Sequence, residues 1–435
     1  VNAIELMHDA IGHILQLRAL QDERLREQVR YTYDRVPFYK KMFDEAGAQP
    51  GDIRTAKDLE KLPFTSKTDL RDNYPYGLLA VPMEEIVRIH ASSGTTGKAT
   101  VVGYTAGDLA LWDECVARAL TCAGGTRKDI IQVCYGYGLF TGGLGLHGGA
   151  ERIGATVIPA STGNTARQIT MLQDYGSTML CCTPSYALYI GDTMEKNNIP
   201  VSSIHLKAGL FGAEPWTVRM KEEIEKRLGI RAYDIYGLSE ISGPGVSFGC
   251  DGSDGLHVND DHFLIEIVDP ATGKNVPDGE KGEVVFTTLT KRGLPLLRYN
   301  THDISSITHE RCACGRTLTR MARITGRSDD MLIIRGVNVF PSQIESVLLS
   351  VGQVEPYYMI HVDRVNNLDV MEIKVELSAD AFSDSMRGIE ELEAKIRASI
   401  ESTLGIAAKV TFVEPSSLPR SEGKAKRVID NRTLR

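Results

Sequence analysis

Four features are missing from this 435-residue sequence, and each absence excludes a class of protein. Positive charge is not in excess, since the formal net charge is −8, so nucleic acids and anionic membrane surfaces are not expected partners. No apolar run approaches the roughly 20 residues of a membrane-spanning helix. The first residues lack the basic and apolar segments of a signal peptide. Eight cysteines are too few for a disulfide framework in so long a chain, so we expect reduced thiols and a cytoplasmic protein.

Length and residue patterns predict an α/β protein of two domains. A chain of 435 residues is longer than one hydrophobic core usually supports. Between residues 86 and 290, short β-rich runs such as 130–133 alternate with helical patterns, which indicates a largely buried sheet. After Gly326 the pattern changes to a smaller α+β one. We therefore expect a large α/β domain with a β-rich subdomain over residues 1–327 and a small α+β domain over residues 328–435.

The periodicity of apolar residues predicts individual elements within this frame. Helices are expected at residues 3–30 (one or two), 106–123, 166–174, 215–228, 341–351 and 388–404. Hairpin strands are expected at 263–268 and 282–286, and strands of the smaller domain at 331–335, 356–363, 370–377 and 409–413.

The sequence SSGTTGK at residues 92–98 is the most informative local pattern. Its hydroxyls and backbone N–H groups can surround a phosphate, and its glycines permit close approach. It is not a P-loop, because only two residues separate the first glycine from Gly-Lys where a P-loop has four. The flanking residues 86–89 and 101–104 favour extended structure. We predict a strand–loop–strand phosphate site, with a solvated polar turn as the alternative, made of Ser92, Ser93, Gly94, Thr95, Thr96, Gly97 and Lys98.

A second kind of pattern is a set of short motifs in a fixed order along the chain. After the loop come GAE at 212–214, YGLSE at 236–240, GRSDD at 326–330 and PRSEGK at 419–424. Their order and spacing resemble the adenylate-forming superfamily of acyl-CoA synthetases and ligases. Finer features resemble one branch, the phenylacetate–CoA ligases, and they are YGYGLFTGG at 135–143, GRSDDMLIIRGVNVFP at 326–341 and CACG at 312–315.

The resemblance implies a reaction in two steps that depends on ATP, Mg²⁺ and coenzyme A. A carboxylate first attacks the α-phosphate of ATP, which gives an acyl-adenylate and pyrophosphate, and the CoA thiol then displaces AMP. Phenylacetate is the expected acid, and a cytoplasmic homodimer is the expected assembly. Three alternatives stay open: an enzyme of the same branch for indoleacetate or an aminobenzoate, a coenzyme nucleotidyl-transfer synthetase, and a non-catalytic, zinc-stabilised nucleotide-binding sensor.

The same resemblance assigns roles in ATP binding. The loop at 92–98 would orient the β- and γ-phosphates, with Thr96 among the catalytic residues. Glu240 would hold Mg²⁺, a cation that prefers carboxylate and phosphate oxygens. Asp303 would accept hydrogen bonds from the ribose hydroxyls, as a carboxylate can. The residues expected around adenine and its nucleotide are Gly212, Ala213, Glu214, Tyr236, which would stack on the base, Gly237 and Arg327.

Further roles concern catalysis, domain rotation and the acyl group. Lys424 would act in adenylation, since a lysine is a compact charge on a long stem, although a basic tail is the simpler alternative. Asp329 would be the hinge of a mobile C-terminal domain, or else a turn residue. Arg335 and Gly336 would face the path of CoA. An acyl pocket is expected from the aromatic residues between glycines, Tyr135, Tyr137 and Phe140.

The last pattern predicts a metal site. Cys250, His257, Cys312 and Cys314 form a Cys₃His set of the kind that closes a tetrahedral, structural zinc site. His262 is a competing ligand. Buried free thiols are the alternative, and they are the expected state of Cys115, Cys122, Cys134, Cys181 and Cys182.

Overall fold

The computed structural model describes residues 14–92, 99–329, 332–335, 337–365, 368–378, 386–420 and 425–432. Its α-helices in these ranges are α1 Ile14–Arg35, α2 Pro37–Ala46, α3 Lys67–Asp72, α4 Ala106–Cys122, α5 Thr141–Arg152, α6 Thr165–Asp174, α7 Pro184–Lys196, α8 Val218–Leu228, α9 Pro341–Val351 and α10 Met386–Leu404. Short 3₁₀ helices lie at Pro50–Asp52, Ala56–Lys61, Met83–Glu85 and Val201–Ser203.

The strands of the large domain are β1 Arg88–Ser92, β2 Thr100–Tyr104, β3 Ile130–Val133, β4 Thr156–Ile158, β5 Met179–Cys182, β6 Ala208–Gly212, β7 Arg231–Leu238, β8 Gly243–Cys250, β9 Ser253–Val258, β10 Phe263–Val268, β11 Gly282–Thr288, β12 Tyr299–Ser305, β13 Ile307–Thr308, β14 Arg320–Met321 and β15 Gly326–Arg327. Those of the small domain are β16 Leu332–Ile334, β17 Val337–Val339, β18 Val354–Val365, β19 Leu368–Leu377, β20 Lys409–Val413 and β21 Val428–Asp430.

A nine-stranded mixed sheet organises the large domain, in the order β13-β14-β9-β8-β7-β6-β5-β3-β4. The five strands β4, β3, β5, β6 and β7 are parallel, and β8, β9, β14 and β13 continue the sheet antiparallel. Every residue of β5 and β6 is buried, as expected for parallel strands covered on both faces. Helices start at the ends of such strands with ordinary caps: Thr183 accepts the N–H of Tyr186, and Pro184 opens α7.

The small domain has a separate hydrophobic core. Its sheet has the order β20-β19-β18-β21, with the long pair β18–β19 antiparallel and both outer strands parallel to their neighbours. Helices α9 and α10 cover this sheet, and its buried core residues run from Leu332 to Val410. The predicted α/β class with a smaller α+β unit is thereby confirmed, whereas a boundary placed between residues 327 and 328 stays a prediction.

Most predicted elements occur within a few residues of their expected ends. Four helices of the large domain have no counterpart among the sequence predictions: α2, α3, α5 and α7. α5 carries the glycine-rich sequence TGGLGLHGGAER, which has low helix propensity. It forms against α4, where a Cβ on Gly145 would lie 2.4 Å from Trp112 and one on Gly149 would lie 2.4 Å from Val116. Close helix packing therefore outweighs the intrinsic preference of this segment.

Candidate active site

A solvent-open cavity of about 650 Å³ lies at the carboxyl ends of β6 and β7. This edge is where ligands bind in open α/β sheets. Seven of its lining residues are among those predicted to contact the nucleotide: Gly212, Ala213, Glu214, Tyr236, Gly237, Asp303 and Arg327. The others are Pro215, Trp216, Asp234, Ile235, Leu238, Leu256 and Ile324.

Small residues shape the wall of this cavity. A Cβ on Gly212 would lie 2.0 Å from the carbonyl oxygen of Ile235, and one on Gly237 would lie 1.7 Å from that of Gly243. Ala213 has φ 71°, a left-handed conformation that a non-glycine residue adopts at a cost. The GAE turn is therefore held in a defined and strained conformation beside the strand that carries Tyr236.

Tyr236, Asp303 and Arg327 form one hydrogen-bonded group beside the cavity. The Tyr236 hydroxyl donates to Asp303 Oδ2 at 2.6 Å, and Arg327 Nη1 lies 3.5 Å from Asp303 Oδ1. Burial and the adjacent carboxylate raise the pKa of Tyr236 well above its usual range, so the phenol stays a donor. The Tyr236 ring also packs nearly parallel to Phe286, with centroids 6.1 Å apart. The structure thus brings together the residues predicted to meet adenine and ribose.

The turn that carries Glu240 receives hydrogen bonds from two side chains, those of Lys291 and Tyr104. Lys291 Nζ donates to the carbonyl oxygens of Glu240 at 3.2 Å and Ile241 at 2.9 Å, and the Tyr104 hydroxyl donates to that of Ser239 at 3.0 Å. Lys291 lies over the Tyr104 ring at 4.4 Å. Burial lowers the pKa of Lys291 to about 8.

The Glu240 carboxylate is only 3% exposed, and Lys67 Nζ is 3.8 Å from it. A buried carboxylate with a partner at this distance keeps oxygen lone pairs that suit a hard cation. Its chemistry therefore fits the predicted Mg²⁺ role.

Several predicted residues lie outside the described part of the chain: Ser93, Gly94, Thr95, Thr96, Gly97, Lys98, Gly336 and Lys424. The flanks of the phosphate loop are described. β1 and β2 pair antiparallel with Ser92 opposite Thr100, so the loop connects two strands, as expected. The buried Ser92 hydroxyl has no hydrogen-bond partner among the described residues.

The three aromatic residues predicted for the acyl pocket have different surroundings. Tyr135 is buried, and its hydroxyl donates to the Cys182 carbonyl at 2.5 Å and accepts the Gly212 N–H at 3.0 Å. It thus ties three strand ends together beneath the GAE turn. The Tyr137 hydroxyl lies 3.3 Å from His147 Nδ1, and Phe140 is 43% exposed. None of the three lines the cavity described above.

The predicted hinge lies in a network of charged groups. Asp329 is exposed and accepts two hydrogen bonds from Arg327, at 2.7 and 2.8 Å. The neighbouring Ser328 donates to Glu283, which also contacts His302 Nδ1 at 3.2 Å.

Arg335, predicted to face CoA, has φ 51° and donates to the Ala407 carbonyl at 2.7 Å within the small domain.

The two domains contact each other through polar groups. Arg227 of α8 pairs with Asp192 of α7 and, at 3.1 Å, with Glu355 of β18. The Tyr357 hydroxyl of β18 also donates to Asp192. Near the cavity, the Ala425 N–H of the small domain donates to Glu214 Oε2 at 2.9 Å. These contacts define one orientation of the small domain.

A second polar cluster joins the β8–β9 turn to the segment before β14. The ligand atoms of Cys250, His257, Cys312 and Cys314 all lie within 4.8 Å of one another. Cys250 Sγ is 3.7 Å from Cys312 Sγ, and Cys314 Sγ is 3.3 Å from His257 Nε2. Tetrahedral zinc with bonds of about 2.3 Å would place two sulfurs roughly 3.8 Å apart. Burial, helped by nearby arginines, lowers the pKa of His257 to about 4, so its ring is neutral at pH 7.

The local sequence explains why these four residues meet. A Cβ on Gly252 would lie 2.4 Å from the backbone nitrogen of Cys314, so only glycine lets the two turns approach. Gly315 has φ 92° and closes the Cys-Ala-Cys-Gly turn by donating to the Cys312 carbonyl at 2.9 Å.

The competing ligand His262 belongs to a different group, with Glu114 and Asp261. That group already contains a cation. Arg118 donates to both oxygens of Asp261 at 2.8 and 2.9 Å and to Glu114 at 2.5 Å. His257 is therefore the imidazole that the structure groups with the three cysteines.

Comparison with known proteins identifies the class. The family of AMP-binding enzymes matches residues 9–289, and the AMP-binding enzyme C-terminal domain matches residues 336–432. Curated relatives narrow the class to one branch. The phenylacetate–coenzyme A ligase of Thermus thermophilus is 50% identical over 431 residues, which are 96% of this chain and 97% of that protein. The phenylacetate–coenzyme A ligase of Escherichia coli is 50% identical over 421 residues, 96% of each chain. The chain therefore belongs to the phenylacetate–CoA ligase family of AMP-binding enzymes, and the resemblance found in the sequence is confirmed.

Comparison with solved structures indicates which known orientation of the small domain this chain resembles. The crystal structure of 2-hydroxyisobutyryl-CoA ligase in the postadenylation state with 2-HIB-AMP has a TM-score of 0.91 at 29% identity, and the match covers 97% of this chain and 91% of that one. The same ligase with 2-HIB-AMP and CoA in the thioesterification state covers the same shares at 30% identity with a TM-score of 0.72. The orientation of the small domain here thus resembles the postadenylation state.

Sequence reasoning missed some residues that shape the site. Trp216 lines the cavity two positions after Glu214, and the Arg323 guanidinium lies 4.8 Å from its ring. The signal for Trp216 was its position close to the GAE motif, with only Pro215 between them. Lys291 has no motif around it that indicates a buried lysine, and its role depends on contacts with a turn about 50 residues earlier.

Proposed function

We propose that this chain is an ATP-dependent ligase that joins phenylacetate to coenzyme A through phenylacetyl-adenylate. The observation that carries the proposal is the 50% identity to phenylacetate–coenzyme A ligases over 96% of the chain. The cavity supports it independently, since its Tyr236–Asp303–Arg327 group offers an aromatic face, a carboxylate acceptor and a cation to a nucleotide.

In the first half-reaction, a carboxylate oxygen of phenylacetate attacks the α-phosphorus of ATP and pyrophosphate leaves. Two anions must approach each other, so donors and positive charge are needed around the phosphates. We assign this task to the loop at residues 92–98, including Thr96, and to Lys424. Asp303 would accept the ribose hydroxyls, and Tyr236 would stack on adenine. Glu240 would hold Mg²⁺, which neutralises phosphate charge when bound.

In the second half-reaction, the CoA thiolate attacks the acyl carbonyl carbon and the C–O bond to AMP breaks. We propose that the small domain rotates about Asp329 between the two steps and that Arg335 and Gly336 then face CoA. The Arg327–Asp329 pair at 2.7 Å supports a hinge that is fixed in the present orientation. Asp329→Pro, which fixes φ and removes a donor, should therefore change the rates of the two half-reactions unequally. If the variant catalyses both half-reactions at the wild-type rates, the rotation occurs at another position.

The Cys₃His cluster is proposed to bind one structural zinc ion. Its four donor atoms lie within 4.8 Å, and four protein ligands close a tetrahedral site, so the ion would stabilise the fold and not polarise substrate. Elemental analysis of purified protein should find one zinc per chain.

Assembly and compartment are further proposals. All eight cysteines are free, which supports a reducing compartment such as the cytoplasm. Among the helices in the described ranges, none is long and apolar enough to cross a membrane. A homodimer is proposed from the family resemblance, and sedimentation at several protein concentrations would test it.

The test of the proposed function is pyrophosphate release with a panel of acids, measured with and without CoA. Phenylacetate should give the highest kcat/KM, and phenylacetyl-CoA and AMP should appear only when CoA is present. Indoleacetate and an aminobenzoate serve as matched competitors. A higher kcat/KM for either competitor would replace phenylacetate as the substrate, and activity without any CoA product would contradict the ligase assignment.

A further inference from the structure

Glu214 makes two hydrogen bonds that connect the two domains. Its Oε1 accepts the backbone N–H of Ser185 at 2.8 Å, and its Oε2 accepts the backbone N–H of Ala425 at 2.9 Å. Ser185 lies in the first turn of α7 in the large domain, whereas Ala425 lies in the small domain. Each carboxylate oxygen therefore has a main-chain donor, although Glu214 also lines the nucleotide cavity.

The large domain fixes the carboxylate independently of the small one. The Glu214 carboxylate lies beside the N-terminus of α7, where unpaired N–H groups and the helix dipole favour an anion. Thr183 accepts the N–H of Tyr186 in the same turn, so the two side chains share the free donors of this helix end. The GAE turn itself is held by Tyr135, whose hydroxyl bonds to Gly212. The position of the Glu214 carboxylate is therefore set before any partner arrives.

The position of Ala425 connects this contact to the predicted catalytic lysine. Ala425 directly follows Lys424 in the sequence, and β21 begins three residues later. There the Ile360 N–H donates to the Arg427 carbonyl at 2.8 Å, and β21 pairs with β18. The segment is thus anchored in the small domain on its C-terminal side and to the large domain through Glu214 at residue 425.

The contact also depends on domain orientation, because its two partners belong to different domains. The present orientation resembles the postadenylation state of 2-hydroxyisobutyryl-CoA ligase more than its thioesterification state, with TM-scores of 0.91 and 0.72. A rotation between such states would separate the Ala425 N–H from a carboxylate that stays with α7.

We propose that Glu214 is a positioning residue for adenylation, which docks the lysine-bearing C-terminal segment against the large domain and releases it for thioester formation. This inference rests on the proposed function. It differs from the role of a nucleotide ligand, because the carboxylate acts on a backbone N–H of the small domain. The Glu214–Ala425 hydrogen bond is charge-assisted and should exceed an ordinary neutral one in strength.

Glu214→Gln tests the proposal, since an amide keeps one oxygen acceptor and replaces the other with an NH₂ donor. We expect the kcat of phenylacetate-dependent pyrophosphate exchange to fall roughly 10- to 100-fold, as for loss of a hydrogen bond to a charged group. The KM for ATP should change much less than kcat, and thioester formation from synthetic phenylacetyl-adenylate and CoA should be largely retained. Amide hydrogen exchange of peptides covering residues 417–427 should become faster.

Glu222→Gln is the matched control, because Glu222 is an exposed residue of α8 that pairs with Arg219. It should leave both half-reactions and the amide exchange unchanged. A raised KM for ATP with unchanged kcat and exchange would show that Glu214 acts on the nucleotide. Equal losses in both half-reactions would show a general structural role. If the wild-type protein makes no phenylacetyl-adenylate, the proposed function fails, whereas the exchange comparison still decides on the contact.

Discussion

Two polar clusters that each include residues of the nine-stranded sheet differ in whether their polar atoms face a cavity or one another. In the nucleotide cluster, Tyr236, Asp303 and Arg327 contact each other and also line a cavity of about 650 Å³. In the Cys₃His cluster, the four ligand atoms face one another within 4.8 Å. The first arrangement leaves space for a substrate, whereas the second is complete within the protein.

This difference indicates how each cluster should respond to mutation. A group that faces a cavity acts mainly on ligands, so its loss should change kinetic constants more than stability. A closed ligand set joins distant segments of chain, so its loss should change stability more than turnover. Substitutions in and around the two clusters can therefore test this contrast.

Lys424→Ala tests the reactive side of the comparison. We expect the rate of adenylate formation to fall by roughly 100- to 1,000-fold, the cost of removing one preorganised charge at a reacting phosphate. Thioester formation from synthetic phenylacetyl-adenylate and CoA should be retained, and the thermal midpoint should not change. Lys426→Ala, two residues away, is the control. Comparable losses in both half-reactions would contradict the assigned role.

Cys312→Ser tests the closed side. We expect loss of bound zinc and a thermal midpoint lower by roughly 5 °C or more, because the ion would contribute folding free energy. The turnover of protein that stays folded should be much less affected. Cys122→Ser is the control, since the Cys122 thiol donates to the Gly249 carbonyl outside the cluster. If the wild-type protein contains no metal and the variant is equally stable, the four residues are ordinary side chains without a metal. If the variant is stable but inactive, the metal is catalytic.

Asp303→Asn sharpens the assignment within the nucleotide cavity. The amide can still accept from Tyr236 but loses the charge and one acceptor oxygen, so the KM for ATP should rise roughly 10-fold. The KM for CoA and the thermal midpoint should stay close to wild type. Asp278→Asn, an exposed aspartate that contacts His309, should change none of these values. A lowered midpoint with unchanged KM would make Asp303 a structural residue.

Glu283→Gln concerns the pH dependence of stability beside the hinge. The hydrogen bond with His302, and those with Asn300 and Ser328, lower the pKa of Glu283 to about 2. A carboxyl group whose pKa is lowered by folding stabilises the fold at pH values above its ordinary pKa, near 4.5. That stabilisation is lost as the pH falls toward 2. The variant should therefore be less stable by about 1 kcal/mol at pH 6, and the difference should vanish near pH 2. A difference that is independent of pH would exclude this linkage.

The sequence predicted most residues of both clusters because they belong to short motifs or closely spaced pairs, whereas Asp303 was expected only from the family resemblance. GAE, YGLSE and the two Cys/His pairs keep their ligands close in sequence, and the sheet then brings the motifs together. The four residues of the expected zinc set lie next to one another in the structure. Separately, seven residues that were expected around the nucleotide line one cavity. Their roles stay predictions, since adjacency does not measure binding.

Contacts between distant elements could not be predicted in this way. Nothing in the GAE motif indicates that Glu214 meets Ala425, 211 residues later. Tyr135 looked like a pocket residue because glycines surround it, yet its hydroxyl bonds to Cys182 and Gly212 inside the fold. In each case the decisive partner lies on another element, so only the three-dimensional arrangement reveals it.

The two tryptophans of the chain give its cavity an optical signal. Trp216 lines the nucleotide cavity, whereas Trp112 is fully buried, stacks on Tyr104 and donates to the Pro244 carbonyl at 2.8 Å. A purine that enters the cavity would come near the indole of Trp216 and leave that of Trp112 undisturbed. Emission from Trp216 should therefore follow nucleotide occupancy in real time, and each binding and release step could be timed without an attached dye.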